Sequence, residues 1–162
     1  MKKFTKVFSI LLFVLLLTGC RRVKQIYSSD DLKIEFKSIE KYKVTQDKMF
    51  FRTAREEGMI VGPTFKIGIE SPTEIKNEKE FNKLMKSHKK DTDFKEVKFS
   101  GYKGFLFYTA PYIRYEIYLN IDNKHVLRLN LYSANDKKEF QEAELKSKYV
   151  NYILKHMKIT VN

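Results

Sequence analysis

The chain has 162 residues, of which 43% are hydrophobic and 32% are charged, and its 13 Phe and 10 Tyr supply enough apolar mass for about one folded domain. One cysteine excludes an internal disulfide framework and a cysteine-rich metal site, and three histidines leave little material for a histidine-based metal cluster. The 32 basic and 20 acidic side chains give a net charge of +12, which favours anionic partners.

The N-terminal segment has the parts of a secretory signal peptide. Lys2, Lys3 and Lys6 form a positive region, and an apolar run over residues 7–17 follows it. As a helix this run is about 16 Å long, roughly half the hydrocarbon thickness of a bilayer, so it is too short for a stable transmembrane helix.

The run ends in Leu17-Thr18-Gly19-Cys20, which resembles the bacterial lipobox at all four positions. The resemblance implies a diacylglyceryl thioether on Cys20 and cleavage just before it, so that residues 1–19 are a lipoprotein signal peptide. The competing interpretation, an ordinary buried cysteine, fits poorly because this cysteine directly follows an apolar signal region. Removing three lysines and no acid lowers the charge from +12 to +9.

Residues 20–30 predict a short lipidated tether, and residues 31–162 predict a single domain without an internal linker. Arg21, Arg22 and Lys24 in the tether suit attraction to anionic headgroups. They suit plain solvation equally well, so the sequence leaves both roles open.

Strands and helices follow from the periodicity of the apolar residues. Alternating apolar and polar positions, or short apolar runs between turn signals, predict strands over 32–37, 49–55, 64–70, 97–99 and 103–109, the last as a central strand because it is apolar on both faces. Apolar spacing of three and four predicts an amphipathic helix over 78–89, with Asn77 as N-cap and Glu80 completing a capping box.

The register of one hairpin follows from its apolar pattern. Ile117 and Leu119 share one face of a strand, and Leu127 and Leu129 share one face of the next. A three-residue loop over 122–124 keeps both sets on the same side and pairs Leu119 with Leu127 and Ile117 with Leu129.

After this hairpin the sequence predicts one long amphipathic helix capped by Asn135 or Asp136, and a short last strand over 158–161. The apolar stripe of that helix comprises Phe140, Ala143, Ser147, Val150, Leu154 and Met157. The predicted class is therefore α+β, a mainly antiparallel sheet packed with two amphipathic helices.

The order of sheet, helix, aromatic antiparallel meander and C-terminal helix resembles the PsbP-like fold of small extracytoplasmic domains. The resemblance covers about residues 64–161 and depends on Gly101–Phe105, the hairpin over 115–131 and the closing segment over 150–159. It implies a binding or accessory role without catalysis and assigns no functional residue.

Several patterns that would indicate chemistry are incomplete. Residues 103–107 partly match the RNA-recognition signature, but Leu106, Tyr108 and Ala110 depart from it, so we expect no nucleic acid partner. The acidic segment 91–96 lacks the glycine and the further oxygen ligands of a calcium loop. No G-x-S-x-G elbow or H-E-x-x-H motif is present. We therefore expect no catalytic residues, no metal and no cofactor.

One face of the hairpin is the candidate recognition surface, opposite the face that carries the leucines. Besides Glu116 and Asn130 it carries Tyr112, Arg114, Tyr118, Arg128 and Tyr132. The predicted register places Tyr118 beside Arg128 and Arg114 beside Tyr132. Tyr and Arg are enriched in recognition hot spots and allow cation–π contact. The alternatives are a merely solvated face and a face covered by residues 32–55.

These features together predict a lipid-anchored, non-enzymatic binding or accessory protein on the outer face of a bacterial cytoplasmic membrane. Its predicted partners are membrane lipid, through Cys20, and an anionic envelope polymer or an acidic protein. The first alternative is an exclusion or immunity lipoprotein acting against phage, plasmid or toxin. The second is an envelope hydrolase, which a pocket with converging acids would favour.

Overall fold

The computed structural model describes residues 22–46, 49–51 and 54–162. Its strands pair antiparallel and three α-helices accompany them, which confirms the predicted α+β class. Cys20 and the predicted signal peptide lie outside the described residues, and the PsbP-like arrangement stays a prediction.

The strands of the described residues are β1 (Val23–Ser28), β2 (Leu32–Ser38), β3 (Lys43–Thr45), β4 (Met49–Phe51), β5 (Ala54–Glu56), β6 (Gly58–Val61), β7 (Phe65–Ile69), β8 (Thr73–Glu74), β9 (Lys95–Phe99), β10 (Tyr102–Thr109), β11 (Arg114–Asn120), β12 (His125–Ser133) and β13 (Lys158–Val161). The α-helices are α1 (Glu78–Ser87), α2 (Lys138–Lys146) and α3 (Lys148–Lys155), and a short 3₁₀ helix covers Ala110–Tyr112.

The strands form one large sheet, one small sheet and a separate pair. The large sheet has the order β3-β6-β7-β12-β11-β10-β9, and β8 pairs with the end of β12. The small sheet has the order β1-β2-β13, and β4 pairs with β5. Every pairing in the described residues is antiparallel, so the predicted meander from β9 to β12 is confirmed.

The main core lies between one face of the large sheet and the small sheet with α3. Ile117 and Leu129 from the large sheet belong to the same buried cluster as Ile34 from β2 and Ile153 from α3. The apolar side of each strand faces this core because side chains alternate in direction along a strand.

Helix α1 covers part of the opposite face of the large sheet. Its Phe81 and Met85 pack with Phe105 and Phe107 of β10 in a second buried cluster. This cover explains why β10 is apolar on both faces, although it lies next to the edge strand β9 and not at the centre of the sheet. Asn77 caps α1 as predicted, because its side chain accepts from the backbone N–H of Lys79 at 3.0 Å.

The tether predicted over residues 20–30 is wrong for most of its length. Val23–Ser28 form β1, which pairs with β2 through six residues, and Tyr27 is fully buried. The alternation is hidden in the sequence because the polar Gln25 points inward with Tyr27, while the apolar Ile26 points outward. The domain therefore includes β1, and the predicted domain boundary at residue 31 is wrong.

Two other predicted elements are divided in the structure. The strand predicted over 49–55 is the short antiparallel pair β4 and β5. The long C-terminal helix is broken at Ser147, whose backbone is extended and whose Oγ accepts from the N–H of Val150 at 3.2 Å. The break shifts the buried side of α2, so Phe140 is 42% exposed and Gln141 is buried in its place.

Among the described residues no helix is both long enough and apolar enough to cross a membrane.

Candidate functional site

The β11–β12 hairpin has the predicted register. Tyr118 pairs with Arg128, and Leu119 pairs with Leu127. Asn123 in the connecting loop adopts a left-handed conformation with φ of 64°, which a three-residue hairpin loop requires at one position. The register brings the polar side chains of both strands onto the face that α1 partly covers.

This face is not the exposed surface that the sequence predicts. Arg114 and Tyr132 are each only 2% exposed. The Nη2 and Nη1 of Arg114 donate to Glu116 at 2.7 Å and to the phenol oxygen of Tyr132 at 3.0 Å. The ring of Tyr112, which is half-buried, lies 4.9 Å from the guanidinium of Arg114. Arg114 and Tyr132 therefore stabilise a buried network and are inaccessible to a partner.

A second carboxylate from outside the hairpin completes this part of the network. Tyr132 donates to Oε1 of Glu56 at 2.7 Å, and Nδ2 of Asn130 donates to the same oxygen at 3.2 Å. Glu56 has no exposed surface, and its Oε2 has no hydrogen-bond partner. Burial raises the pKa of Glu56, and the bonds from Tyr132 and Asn130 offset only part of this increase.

The other half of the network reaches solvent. Arg128 forms an ion pair with Glu70 and donates to the phenol oxygen of Tyr118 at 3.2 Å. Tyr118 in turn donates to Oε2 of Glu116 at 3.0 Å. Burial raises the pKa of Tyr118 to about 12, so this phenol remains a neutral donor at physiological pH. Burial acts to lower the pKa of Arg128, but its bonds to Glu70 and Tyr118 raise it overall.

We call this set of side chains the polar network; its members are Glu56, Glu70, Arg114, Glu116, Tyr118, Arg128, Asn130 and Tyr132. It contains three carboxyl groups and two guanidinium groups. A neutral Glu56 would balance the charges, which is consistent with the direction of its pKa shift.

A pocket of about 310 Å³ opens beside the network, between α1 and the large sheet. Its polar side is formed by Glu70, Tyr118 and Arg128, and its apolar side includes Leu84 and Val126. The carboxylate of Glu70 is held by Arg128, and the deeper Glu56 does not line the pocket. The pocket wall therefore presents the Glu70–Arg128 ion pair and the phenol of Tyr118, whose polar groups already bond to one another.

The structure thus brings four of the five predicted recognition residues to one face, and Tyr112 contacts Arg114 from the 3₁₀ helix before β11. Only Tyr118 and Arg128 line the pocket. Two carboxyl groups of the polar network were not predicted from the sequence. Glu56 ends β5 and Glu70 follows β7, both far in sequence from the hairpin, and no local pattern distinguishes them from other acids of the chain.

A second charged region lies on the outer face of the small sheet. Lys24 from β1, Lys33 and Lys37 from β2, and Lys158 from β13 lie on this face, because the residues that alternate with them point into the core. Lys24 and Lys33 both contact Glu35 at 2.8 Å. These bonds lower the pKa of Glu35 to about 2, so it stays ionised.

The small sheet borders an open cleft of about 710 Å³. Lys98 and Lys155 add two cations to this cleft beside Lys37, and His156 also lines it. We call the six lysines the lysine face; they are Lys24, Lys33, Lys37, Lys98, Lys155 and Lys158.

The first described residue of the chain lies next to this cleft. The guanidinium carbon of Arg22 is 5.6 Å from the ring centre of Tyr152 in α3. The same ring stacks on His156 with a centroid distance of 4.1 Å, and His156 lines the cleft. Arg22 is therefore close to the lysine face.

No three His, Cys, Asp or Glu side chains within residues 22–46, 49–51 and 54–162 are grouped to hold a metal ion. No protein-family model matches the sequence, and comparison with curated proteins gives no match.

Proposed function

We propose that this chain is a lipid-anchored, non-enzymatic binding or accessory protein on the outer face of a bacterial cytoplasmic membrane. The observation that carries the proposal is the position of Arg22, which is two residues after Cys20 and lies beside the lysine face. A lipid on Cys20 would hold this basic surface against the membrane, and two acyl chains hold a soluble domain durably.

The chemistry of the pocket supports binding over catalysis. Each carboxylate near it is engaged, because Glu70 pairs with Arg128 and Glu116 pairs with Arg114. A general acid or base needs a carboxyl group in reach of a substrate proton. Glu56 has a raised pKa but no exposed surface, so it lacks that reach.

The pair of Tyr118 and Arg128 favours a second candidate, an exclusion or immunity lipoprotein that contacts a phage, plasmid or toxin protein. Tyr and Arg dominate protein-binding hot spots, and this pair lies partly exposed at the mouth of the pocket. An acidic loop inserted beside Leu84 would meet both side chains. An anionic envelope polymer would contact the guanidinium of Arg128 as well.

The anchor is tested with a clickable palmitate analogue in a bacterium that expresses the chain. The wild type is expected to incorporate the label and to partition into the detergent phase, whereas Cys20→Ala does neither. Ser9→Ala is the matched control, since it changes the apolar run and leaves the lipobox intact. Labelling of Cys20→Ala at the wild-type level would contradict the proposal.

The binding role is tested by titrating the protein against purified anionic wall polymer at two salt concentrations. Arg128→Ala or Tyr118→Ala is expected to weaken a specific interaction by about thirtyfold, the effect of losing a hot-spot residue. Lys137→Ala, an exposed change at the start of α2, should change affinity far less. Equal losses for all three variants, vanishing together in high salt, would leave only non-specific electrostatics.

A further inference from the structure

The outer face of the small sheet has a chemistry that the pocket does not explain. We infer that the lysine face docks on the phosphate-bearing headgroups of anionic phospholipids. The inference rests on the proposed lipid anchor, and it adds the orientation of the domain and the residues that touch the membrane.

The charge of the face is strongly unbalanced. Lys24 and Lys33 share the single carboxylate of Glu35. Lys37, Lys98, Lys155 and Lys158 form no ion pair within the part of the chain that the structure describes. Lys37, Lys98 and Lys155 line one cleft, and Lys37 and Lys158 line a second that shares His156 with it. Cations gathered in this way repel one another, and a surface of phosphate groups would relieve that repulsion. A juxtamembrane lysine contributes on the order of 1 kcal/mol near an anionic surface.

The distance to the anchor selects the membrane as the occupant. Arg22 is the second residue after Cys20, and the two chain steps between them span at most about 7 Å when extended. The ring of Tyr152 holds Arg22 beside the cleft. With an acyl chain on Cys20 in the bilayer, this face lies within reach of the headgroups, whereas a wall polymer would have to enter that narrow space.

An apolar side chain on the same face supports this orientation. Ile26 is 47% exposed and lies opposite Glu35 in the pairing of β1 with β2, so it projects outward with Lys24. A basic face with an exposed aliphatic group is typical of surfaces that lie in the headgroup region.

Three lysines on α1 serve as an internal control for the lysine face. Lys79, Lys83 and Lys86 on α1 are exposed and form no ion pair among the described residues. They lie on the far side of the large sheet, because α1 packs on the face opposite the small sheet. Membrane docking through the lysine face keeps these three lysines in solvent.

The test is lysine acetylation footprinting of the full lipidated protein, reconstituted in vesicles of phosphatidylcholine alone or with about one-third phosphatidylglycerol. Anionic vesicles are expected to slow acetylation of Lys37, Lys155 and Lys158 at least about fivefold, and high salt should reverse the effect. The rates at Lys79, Lys83 and Lys86 should stay unchanged.

A pair of matched variants separates this face from general charge. Lys37→Gln with Lys155→Gln and Lys158→Gln is expected to abolish the protection of the remaining Lys24 and Lys33. The same three-charge loss on α1, made by replacing Lys79, Lys83 and Lys86 with Gln, should leave that protection intact.

Three results would overturn the inference. They are unchanged rates at the lysine face on anionic vesicles, equal protection of the α1 lysines, and protection by soluble anionic polymer but not by phosphatidylglycerol. The mass of the N-terminal peptide from the same digest reports the anchor separately. An unmodified Cys20 would contradict the proposed function, while the lysine rates would still decide whether the face binds anionic lipid.

Discussion

The phenol of Tyr132 donates a 2.7 Å hydrogen bond to Glu56, a residue 76 positions away in the sequence. This bond joins β12 to the end of β5, and Asn130 strengthens the same junction. The acceptor is a carboxyl group with no exposed surface and a raised pKa. The junction therefore links the stability of the domain to pH.

Glu56→Gln should become more stable relative to the wild type as pH rises from 4 to 7. The folded protein holds the Glu56 proton over a pH range in which the unfolded chain has released it, so wild-type stability falls with rising pH. The slope is at most about 1.4 kcal/mol per pH unit above the ordinary glutamate pKa of about 4.3. Urea unfolding of both proteins at several pH values measures the difference.

The control for this prediction is Glu70→Gln, which breaks the ion pair with Arg128 and should lower stability at pH 7. If Glu56→Gln is instead less stable than the wild type at pH 7, by an amount independent of pH, then burial does not disfavour the ionised form of Glu56 in the folded protein.

Gly68→Ala should destabilise the domain by about 1–3 kcal/mol, the usual cost of overfilling a packed site. A Cβ atom at Gly68 would collide with the carboxyl group of Glu56, which lies against the bare backbone of β7. Adding Glu56→Ala removes the collision, so the double variant should lose less than the two single losses together. Strictly additive losses in urea unfolding would argue against this contact.

Arg114→Met should cost about 3–5 kcal/mol, since it leaves the buried Glu116 without its closest cation. Adding Glu116→Gln should recover part of that loss, because a neutral amide needs no counter-ion. Thermal and chemical unfolding of the wild type, Arg114→Met and the double variant measures these differences in stability. A single variant within about 0.5 kcal/mol of the wild type would exclude a structural role for this buried pair.

Asn77→Ala should cost about 1 kcal/mol, because Asn77 accepts from the first N–H groups of α1. Ser87→Ala, at the other end of the same helix, is the matched control and should cost less. Since α1 forms one wall of the pocket through Leu84, the Asn77 variant should also weaken ligand binding there. Equal unfolding midpoints for the two variants would contradict the capping role.

The hairpin could be predicted in detail because its apolar pattern allows one register. The leucines on one face of β12 and Ile117 with Leu119 on one face of β11 must share the core, so Tyr118 falls beside Arg128. Burial of the opposite face could not be predicted in the same way. Its polar residues are buried because they form hydrogen bonds and ion pairs with one another. The alternation of polar and apolar residues is the same for a buried polar face and for a solvated one.

Other differences have equally specific causes. Ser147 continues the spacing of an amphipathic helix, yet its hydroxyl caps α3, and two helices replace one. β1 has only two buried side chains, Gln25 and Tyr27. Two positions are too few for an alternating pattern to be recognised as a strand in the sequence. Glu56 and Tyr132 come together only in the tertiary structure, so no spacing in the sequence predicts their hydrogen bond.

The intact mass of the membrane-extracted protein tests the proposed lipid anchor beside the lysine face most directly. We expect a chain that begins at Cys20 and carries the added mass of a diacylglyceryl group, with acyl chains released from the N-terminal peptide by base. A chain that retains residues 1–19, or one whose Cys20 carries a free thiol, would contradict the lipid anchor.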